Sequence, residues 1–189
     1  MKRMLWLTIM MMLLAGSTWA QGIEAGQSEI SVGLGYTMPM GDFGDTFDPG
    51  LAGCVGFGYY TSPILAIGGE ICYNNYGYPS ELDVPNVDES YTILQMAGTF
   101  KYSLGPDGKG PYLKAIAGFY RFEAEFSDEG VSVSLTETEF GLGAGGGFQF
   151  KGNGNMGGFL EATFHNVMTE GDATQFLNLK GGVIFFMGG

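Results

Sequence analysis

The chain has 189 residues, with 20 acidic against eight basic side chains and a formal net charge of −12; 45% of its residues are hydrophobic and 14% aromatic. The acidity argues against nucleic acid as a partner, because phosphate binding needs Lys and Arg, and the apolar and aromatic content argues against disorder. Glycine, at 34 residues, far exceeds the usual ~7% without any collagen period; it alternates instead with large apolar residues.

Residues 1–20 read as a cleavable Sec signal peptide. Lys2 and Arg3 form a positive start, Met4 to Leu14 are apolar except for Thr8, and Ala15-Gly16-Ser17-Thr18-Trp19-Ala20 supplies a small-residue cleavage site. The apolar run falls short of the ~20 residues that span a bilayer. A retained membrane anchor is the alternative reading; a lipoprotein is not expected, since no Cys follows Ala20. Residues 21–189 are then a single domain. Removing residues 1–20, which hold two basic residues and no acid, brings the formal charge to −14.

From there, apolar and small or polar residues alternate with a period of two, the mark of strands. Ser28 to Met38 sets Ile30, Val32, Leu34 and Tyr36 against Ser31, Gly33, Gly35 and Thr37. Leu51 to Tyr60 sets Val55, Phe57 and Tyr59 against Ala52, Cys54, Gly56 and Gly58. Ile64 to Asn74 sets Ile67, Ile71 and Tyr73 against Ala66, Gly68, Glu70 and Cys72. Ser90 to Tyr102 sets Leu94, Met96, Phe100 and Tyr102 against Tyr91, Gln95, Thr99 and Lys101. Pro111 to Phe122 sets Leu113, Ala115, Ala117 and Phe119 against Lys114, Gly118 and Tyr120. Leu135 to Phe150 sets Phe140, Leu142, Ala144, Phe148 and Phe150 against Glu139, Gly141, Gly143, Gly145, Gly147 and Gln149. Gly158 to Val167 sets Leu160, Ala162 and Phe164 against Glu161, Thr163 and His165. Thr174 to Met187 sets Leu177, Leu179, Val183 and Phe185 against Asn178, Lys180 and Gly182.

A soluble β-sandwich also alternates, but three features favour a barrel turned inside out. Charges sit mid-strand on the small face, as in a narrow polar lumen. Connectors alternate between long and acidic (Met40–Gly50, Asn75–Glu89, Glu123–Ser134, Met168–Ala173) and short (Thr61–Pro63, Ser103–Gly110, Lys151–Asn155). Apolar-face aromatics gather at strand ends: Tyr36, Tyr73, Phe119, Phe140 and Phe164 by the long loops, and Tyr59, Phe100, Tyr102, Phe148, Phe150 and Phe185 by the short turns. Those are the two interfacial girdles of a membrane barrel. The predicted fold is all-β: an eight-stranded antiparallel up-and-down transmembrane β-barrel, integral to the outer membrane of a Gram-negative cell, with periplasmic termini.

Gly35-Tyr36-Thr37-Met38-Pro39-Met40-Gly41-Asp42-Phe43-Gly44-Asp45, followed by Gly50, resembles the first hairpin of the outer membrane β-barrel domain family. Pro111-Tyr112-Leu113 and the stretch Phe140 to Gly147 resemble its later strands. The resemblance covers the mature chain and implies the fold rather than an activity, because members of that family are structural, adhesive or uncharacterised. One departure is the end of the chain. Such barrels usually end in an aromatic residue read by the insertion machinery, whereas here Phe185-Phe186 is followed by Met187-Gly188-Gly189; either Phe186 with a short tail is the signal, or insertion is less standard in this chain.

Several residues invite chemical readings. Gly141-x-Gly143-x-x-Gly146 has dinucleotide-binding spacing, but no helix follows to receive a pyrophosphate, so the glycines read as small wall residues. His165, the only histidine, invites comparison with barrel enzymes that deacylate lipid A. Val167 stands where their Ser would be, and parity turns His165 inward, so no nucleophile is paired with it. Cys54 and Cys72 lie on the small faces of consecutive strands, equidistant from Pro63; a disulfide and two lumen thiols remain alternatives, in an exported chain that meets an oxidising compartment. Asp42, Asp45, Asp48, Glu81, Asp83, Asp88, Glu123, Glu125, Asp128, Glu129, Glu170 and Asp172 form an acidic crown with no EF-hand spacing, so no metal site or cofactor is expected.

Glu70, Lys101, Lys114, Glu161 and Lys180 are expected to pair across the lumen, since unpaired buried charge is very costly, and so to plug it. The function expected is non-enzymatic: envelope stabilisation, or binding of an extracellular ligand through the acidic loops. Its partners are outer-membrane lipids and the barrel-insertion machinery. A narrow transport barrel for a small or hydrophobic solute is the alternative, and an outer-membrane lipid hydrolase a third reading.

Overall fold

A computed structural model describes residues 22–77, 88–128, 131–152, 154–169 and 173–188; the region read as a signal peptide lies outside them. The elements are β1 (Ser28–Met40), a single helical turn α1 (Asp42–Thr46), β2 (Asp48–Ser62), β3 (Leu65–Gly77) and β4 (Asp88–Ser103), then β5 (Gly110–Asp128), β6 (Val131–Lys151), β7 (Met156–Val167) and β8 (Thr174–Met187). Each strand pairs antiparallel with the next, and β1 closes onto β8 from Ser28↔Met187 to Met40↔Gln175. No strand edge is left open, which is the condition for crossing a bilayer with strands, because hydrocarbon offers no partner to a free N–H or C=O.

Side-chain direction follows the alternation in the sequence. Outward residues such as Leu34, Leu51 and Leu160 are 75%, 65% and 66% exposed, while their inward neighbours Gly33, Ala52 and Glu161 are buried. An apolar wall this exposed suits lipid and not water. Tyr36, Tyr59, Tyr73, Tyr102, Phe119, Phe140, Phe150, Phe164 and Phe185 all stand on it, each exposed.

Two connectors differ from the sequence reading. Residues 123–134, read as a loop, continue the β5–β6 ladder out to Asp128↔Val131. The strand alternation is in fact present there, in Glu123-Ala124-Glu125-Phe126 and in Val131-Ser132-Val133-Ser134-Leu135, and the density of acidic residues between the two runs masks it. In the first loop β1 runs on to Met40, Gly41 turns the chain at φ 60°, and α1 follows before β2 begins at Asp48. There the Phe47 N–H donates to the Phe43 carbonyl, holding both rings on one side of the turn.

The lumen is more apolar than the sequence suggests. At the end holding both termini and the short turns, Ile23, Tyr60, Ala66, Phe159, Ile184 and Phe186 form one buried cluster. At the loop end Tyr76, Ile93, Tyr120, Phe122, Val167 and Phe176 form another, covered by Phe43, Phe47 and Tyr91. These residues share the inward parity with the charges, so the lumen is layered: apolar, ionic, apolar.

Candidate functional site

Between the two apolar layers lies a belt of three lysines and three glutamates. Each points inward because it holds an inward position on its strand: Glu29 on β1, Glu70 on β3, Lys101 on β4, Lys114 on β5, Glu161 on β7 and Lys180 on β8. Lys114 Nζ lies 2.6 Å from Glu70 and 3.1 Å from Glu161; Lys180 Nζ lies 3.1 Å from Glu70 and 3.0 Å from Glu161. The four make a closed ring of alternating sign. Lys101 pairs with Glu29 and donates to Gln149 Oε1 at 2.9 Å. Alternation of sign around the ring is what makes such burial tolerable, since close opposite partners and further hydrogen bonds offset the desolvation cost that an isolated buried charge would bear in full.

Neutral side chains complete the satisfaction of the carboxylates. Tyr112 donates to Glu161 at 2.8 Å, Tyr60 to Glu29 at 2.6 Å, and Gln95 to Glu70 at 2.9 Å. The Lys101 ammonium also sits over the Tyr60 and Tyr112 rings, 5.1 and 5.5 Å from their centroids, a favourable cation–π geometry. Five of the six belt charges stand out in the sequence. Glu29 does not, although its parity marks it as inward, and nor do Tyr60, Tyr112 and Gln149. Their signal is the same alternation, in residues that are ordinary in either environment. The mid-strand Glu139 lies outside the belt, half-exposed at the loop end opposite Tyr120.

The belt leaves little space. A cavity of about 40 Å³ remains among Glu29, Glu70, Lys101, Lys114, Glu161 and Lys180, room for a few waters at ~10–15 Å³ each. The glycines of the small face exist to make this filling possible. A methyl at Gly58 would meet the Glu29 carboxylate at 3.0 Å, one at Gly141 the Tyr120 ring at 2.7 Å, and one at Gly147 the Tyr112 hydroxyl at 2.6 Å. The Gly141–Gly146 motif lies wholly within β6 and forms no phosphate cradle.

His165 is fully buried. Its ring stacks on Phe176, with centroids 4.6 Å apart and planes 8° apart; Nδ1 meets the Tyr120 hydroxyl at 2.9 Å and Nε2 the Thr163 hydroxyl at 3.0 Å. The neighbouring inward position is Val167. Cys54 and Cys72 are directly opposed in the β2–β3 register, with Cα atoms 4.1 Å apart, and are joined by a disulfide. Phe186 faces the lumen beneath the Lys151 ammonium, 5.1 Å from its centroid, and the outward residues at that strand end are Phe185 and Met187.

Of the acidic crown, Asp42 and Asp45 lie on α1, Asp48 opens β2, and Glu123 is exposed on β5 beside Arg121 at 3.9 Å. Asp88 opens β4, and Glu125 and Asp128 lie on the outer part of β5. Glu81, Asp83, Glu129, Glu170 and Asp172 lie outside the described residues. Among the described residues no three His, Cys, Asp or Glu side chains gather to hold a metal ion.

A closed antiparallel barrel of eight strands, apolar outside and ionic within, defines an integral outer-membrane β-barrel. The chain belongs to the outer membrane protein beta-barrel domain family, whose model matches residues 7–185. No curated protein sequence matches it. Among solved structures it is similar to Ail, the attachment invasion locus protein of Yersinia pestis, at 17% identity and TM-score 0.61, covering 85% of this chain and 99% of that one. It is also similar to Neisserial surface protein A, at 13% identity and TM-score 0.59, covering 85% and 98%, and to OprG of Pseudomonas aeruginosa, at 14% identity and TM-score 0.54, covering 90% and 100%. At these identities the likeness is one of fold.

Proposed function

We propose that this protein is a closed, non-enzymatic barrel that stabilises the outer membrane and displays acidic loops to cationic ligands or surfaces. The observation that carries this reading is the filled lumen: a charge-balanced belt sealed by an apolar layer at each end. A barrel built to pass solute would gain nothing from three buried lysines matched to three buried glutamates. On this reading residues 1–20 are removed on export and residues 21–189 form the barrel, with both termini in the periplasm. The exposed aromatics then sit at the two lipid interfaces, and the insertion machinery meets the β8 end, where Phe185 faces outward.

The segments at the loop end of the barrel, residues 40–50, 75–89 and 168–173 with the β5–β6 hairpin end at 123–134, contain 13 acidic residues and no basic one. This sets the kind of ligand. Ail has been solved in complex with a heparin analogue, sucrose octasulfate. That polyanion would be repelled here, whereas basic polypeptides and divalent cations bridging anionic lipid headgroups fit the sign of the loops. A lipid-hydrolase role finds no support in His165, which is sealed from solvent and beside Val167 rather than a hydroxyl nucleophile.

The test is conductance in planar bilayers. The wild-type barrel is expected to give no sustained conducting steps. Glu70→Gln and Lys101→Met are expected to lower stability with little change in permeability. Sustained conductance that rises in these variants would instead support transport of a small solute. Activity on lipid A that disappears in His165→Ala would overturn the non-enzymatic reading.

A further inference from the structure

We infer that the Cys54–Cys72 disulfide is made before the barrel closes, by a disulfide-bearing oxidant acting on the open β2–β3 hairpin, and that closure then seals it against any further thiol exchange. Both cysteines are buried, Cys54 at 7% and Cys72 at 0% exposure. They lie in the wall of the ionic layer, with the apolar clusters above and below; the cavity of about 40 Å³ reaches Cys54 alone. Thiol–disulfide exchange needs a third sulfur to approach the bond. No thiol carrier, and not even a tripeptide thiol, fits that space.

Chain order supplies an independent argument. The two cysteines are 18 residues apart and face each other across one hairpin, so their encounter requires only local closure. The group that covers them arrives last. Lys180, on the final strand, places its ammonium 3.7 Å from each sulfur while bound to Glu70 and Glu161. Those contacts span 126 and 108 residues and exist only once β8 has joined the sheet. Hairpin formation, oxidation and closure therefore fall in that order.

The chemistry balances within the pair and its oxidant. The thiolate of one cysteine attacks the oxidant's disulfide, forming a mixed disulfide and releasing one oxidant thiolate. The second cysteine, as thiolate, attacks the mixed disulfide, forming the Cys54–Cys72 bond and releasing the other. Two electrons pass to the oxidant, which becomes a dithiol by taking up the two protons that the cysteines lose.

The test uses the protein extracted from outer membranes in mild detergent. In one arm the folded, oxidised barrel and the same protein unfolded in urea are exposed to dithiothreitol, and freed thiols are trapped with a maleimide–polyethylene glycol that shifts gel mobility. In the other arm the chain is reduced in urea and folded into detergent micelles, its fold is checked by the mobility of unboiled samples, and it is then challenged with oxidised glutathione. Exchange in the folded barrel is expected to be at least ~100-fold slower than in urea in both arms, because it must wait for the barrel to open. Failure of the reduced chain to fold supports the same order, and the first arm still decides. Folded and unfolded rates within about tenfold of each other in either arm would overturn the inference.

Discussion

Glu70 sits where Lys114 and Lys180 converge, and its replacement leaves two ammonium groups sharing Glu161 alone. Glu70→Gln keeps the shape and removes the charge; breaking a buried pair in this way costs about 3–5 kcal/mol, which urea unfolding in micelles followed by tryptophan-independent gel mobility measures directly. The exposed Arg121–Glu123 pair, 3.9 Å apart with both side chains about half exposed, is the control: Glu123→Gln is expected to change stability by less than ~1 kcal/mol. Lys101 and Glu29 test the belt differently. Lys101→Met alone strands a carboxylate, whereas Lys101→Met with Glu29→Leu removes both charges, so the double variant is expected to be more stable than the sum of the single losses allows. At this scale the sequence was legible where a residue's character contradicted its surroundings. A lysine amid glycines, as at Lys114 or Lys180, announces a lumen charge. Tyr60, Tyr112 and Gln149 look ordinary on either face, and only the closed barrel reveals which carboxylate or ammonium each one satisfies.

The β2–β3 hairpin is covalently stapled and the others are not. Cys54→Ser with Cys72→Ser is expected to lose about 2–4 kcal/mol of stability and to make unfolding insensitive to reductant, read as coincident urea curves with and without dithiothreitol. β4 and β5 offer a second comparison, on opposite faces of adjacent register pairs, Gly98↔Ala117 and Ala97↔Gly118. A methyl at outward Gly98 meets nothing nearer than 3.7 Å, whereas one at inward Gly118 runs into the Met96 carbonyl and the Ala97 backbone. Gly118→Ala is expected to cost about 1–3 kcal/mol through overpacking, and Gly98→Ala to stay within ~0.5 kcal/mol, both measured as shifts in the temperature at which gel mobility changes. All eight strands were legible because each crosses the same apolar layer, which imposes one rule on every outward residue. The outer part of the β5–β6 hairpin was masked, although Val131-Ser132-Val133-Ser134-Leu135 alternates as a strand does, because the acids Glu123, Glu125, Asp128 and Glu129 read as a loop. The turn α1 was not legible, because its five residues are too few to show a helical period.

Across the whole molecule charge is sorted by location. The belt balances three against three, so the excess of acid falls outside it, and most of that lies at the loop end. On the proposed function the loop end should therefore hold a lysine-rich peptide with an affinity that falls steeply as salt rises, and should not hold sucrose octasulfate at any salt; isothermal titration of the barrel in micelles distinguishes the two, and retention of the sulfated ligand would show the loop charge to be screened by tightly held cations. Closure, strand number and lumen polarity were all foreshadowed by alternation and connector length. The apolar seals at each end were not, because Phe159, Ile184 and Phe186 share their parity with the belt and the expectation of a polar lumen leaves no place for them. The ion pairs themselves reach far across the chain, from Glu29 on β1 to Lys101 on β4 and from Glu70 on β3 to Lys180 on β8. A sheet of fewer strands, or one slipped by a single residue, would present those same lysines to hydrocarbon. The belt thus ties charge balance to register: only the complete, correctly registered ring gives each of its six charges an opposite partner.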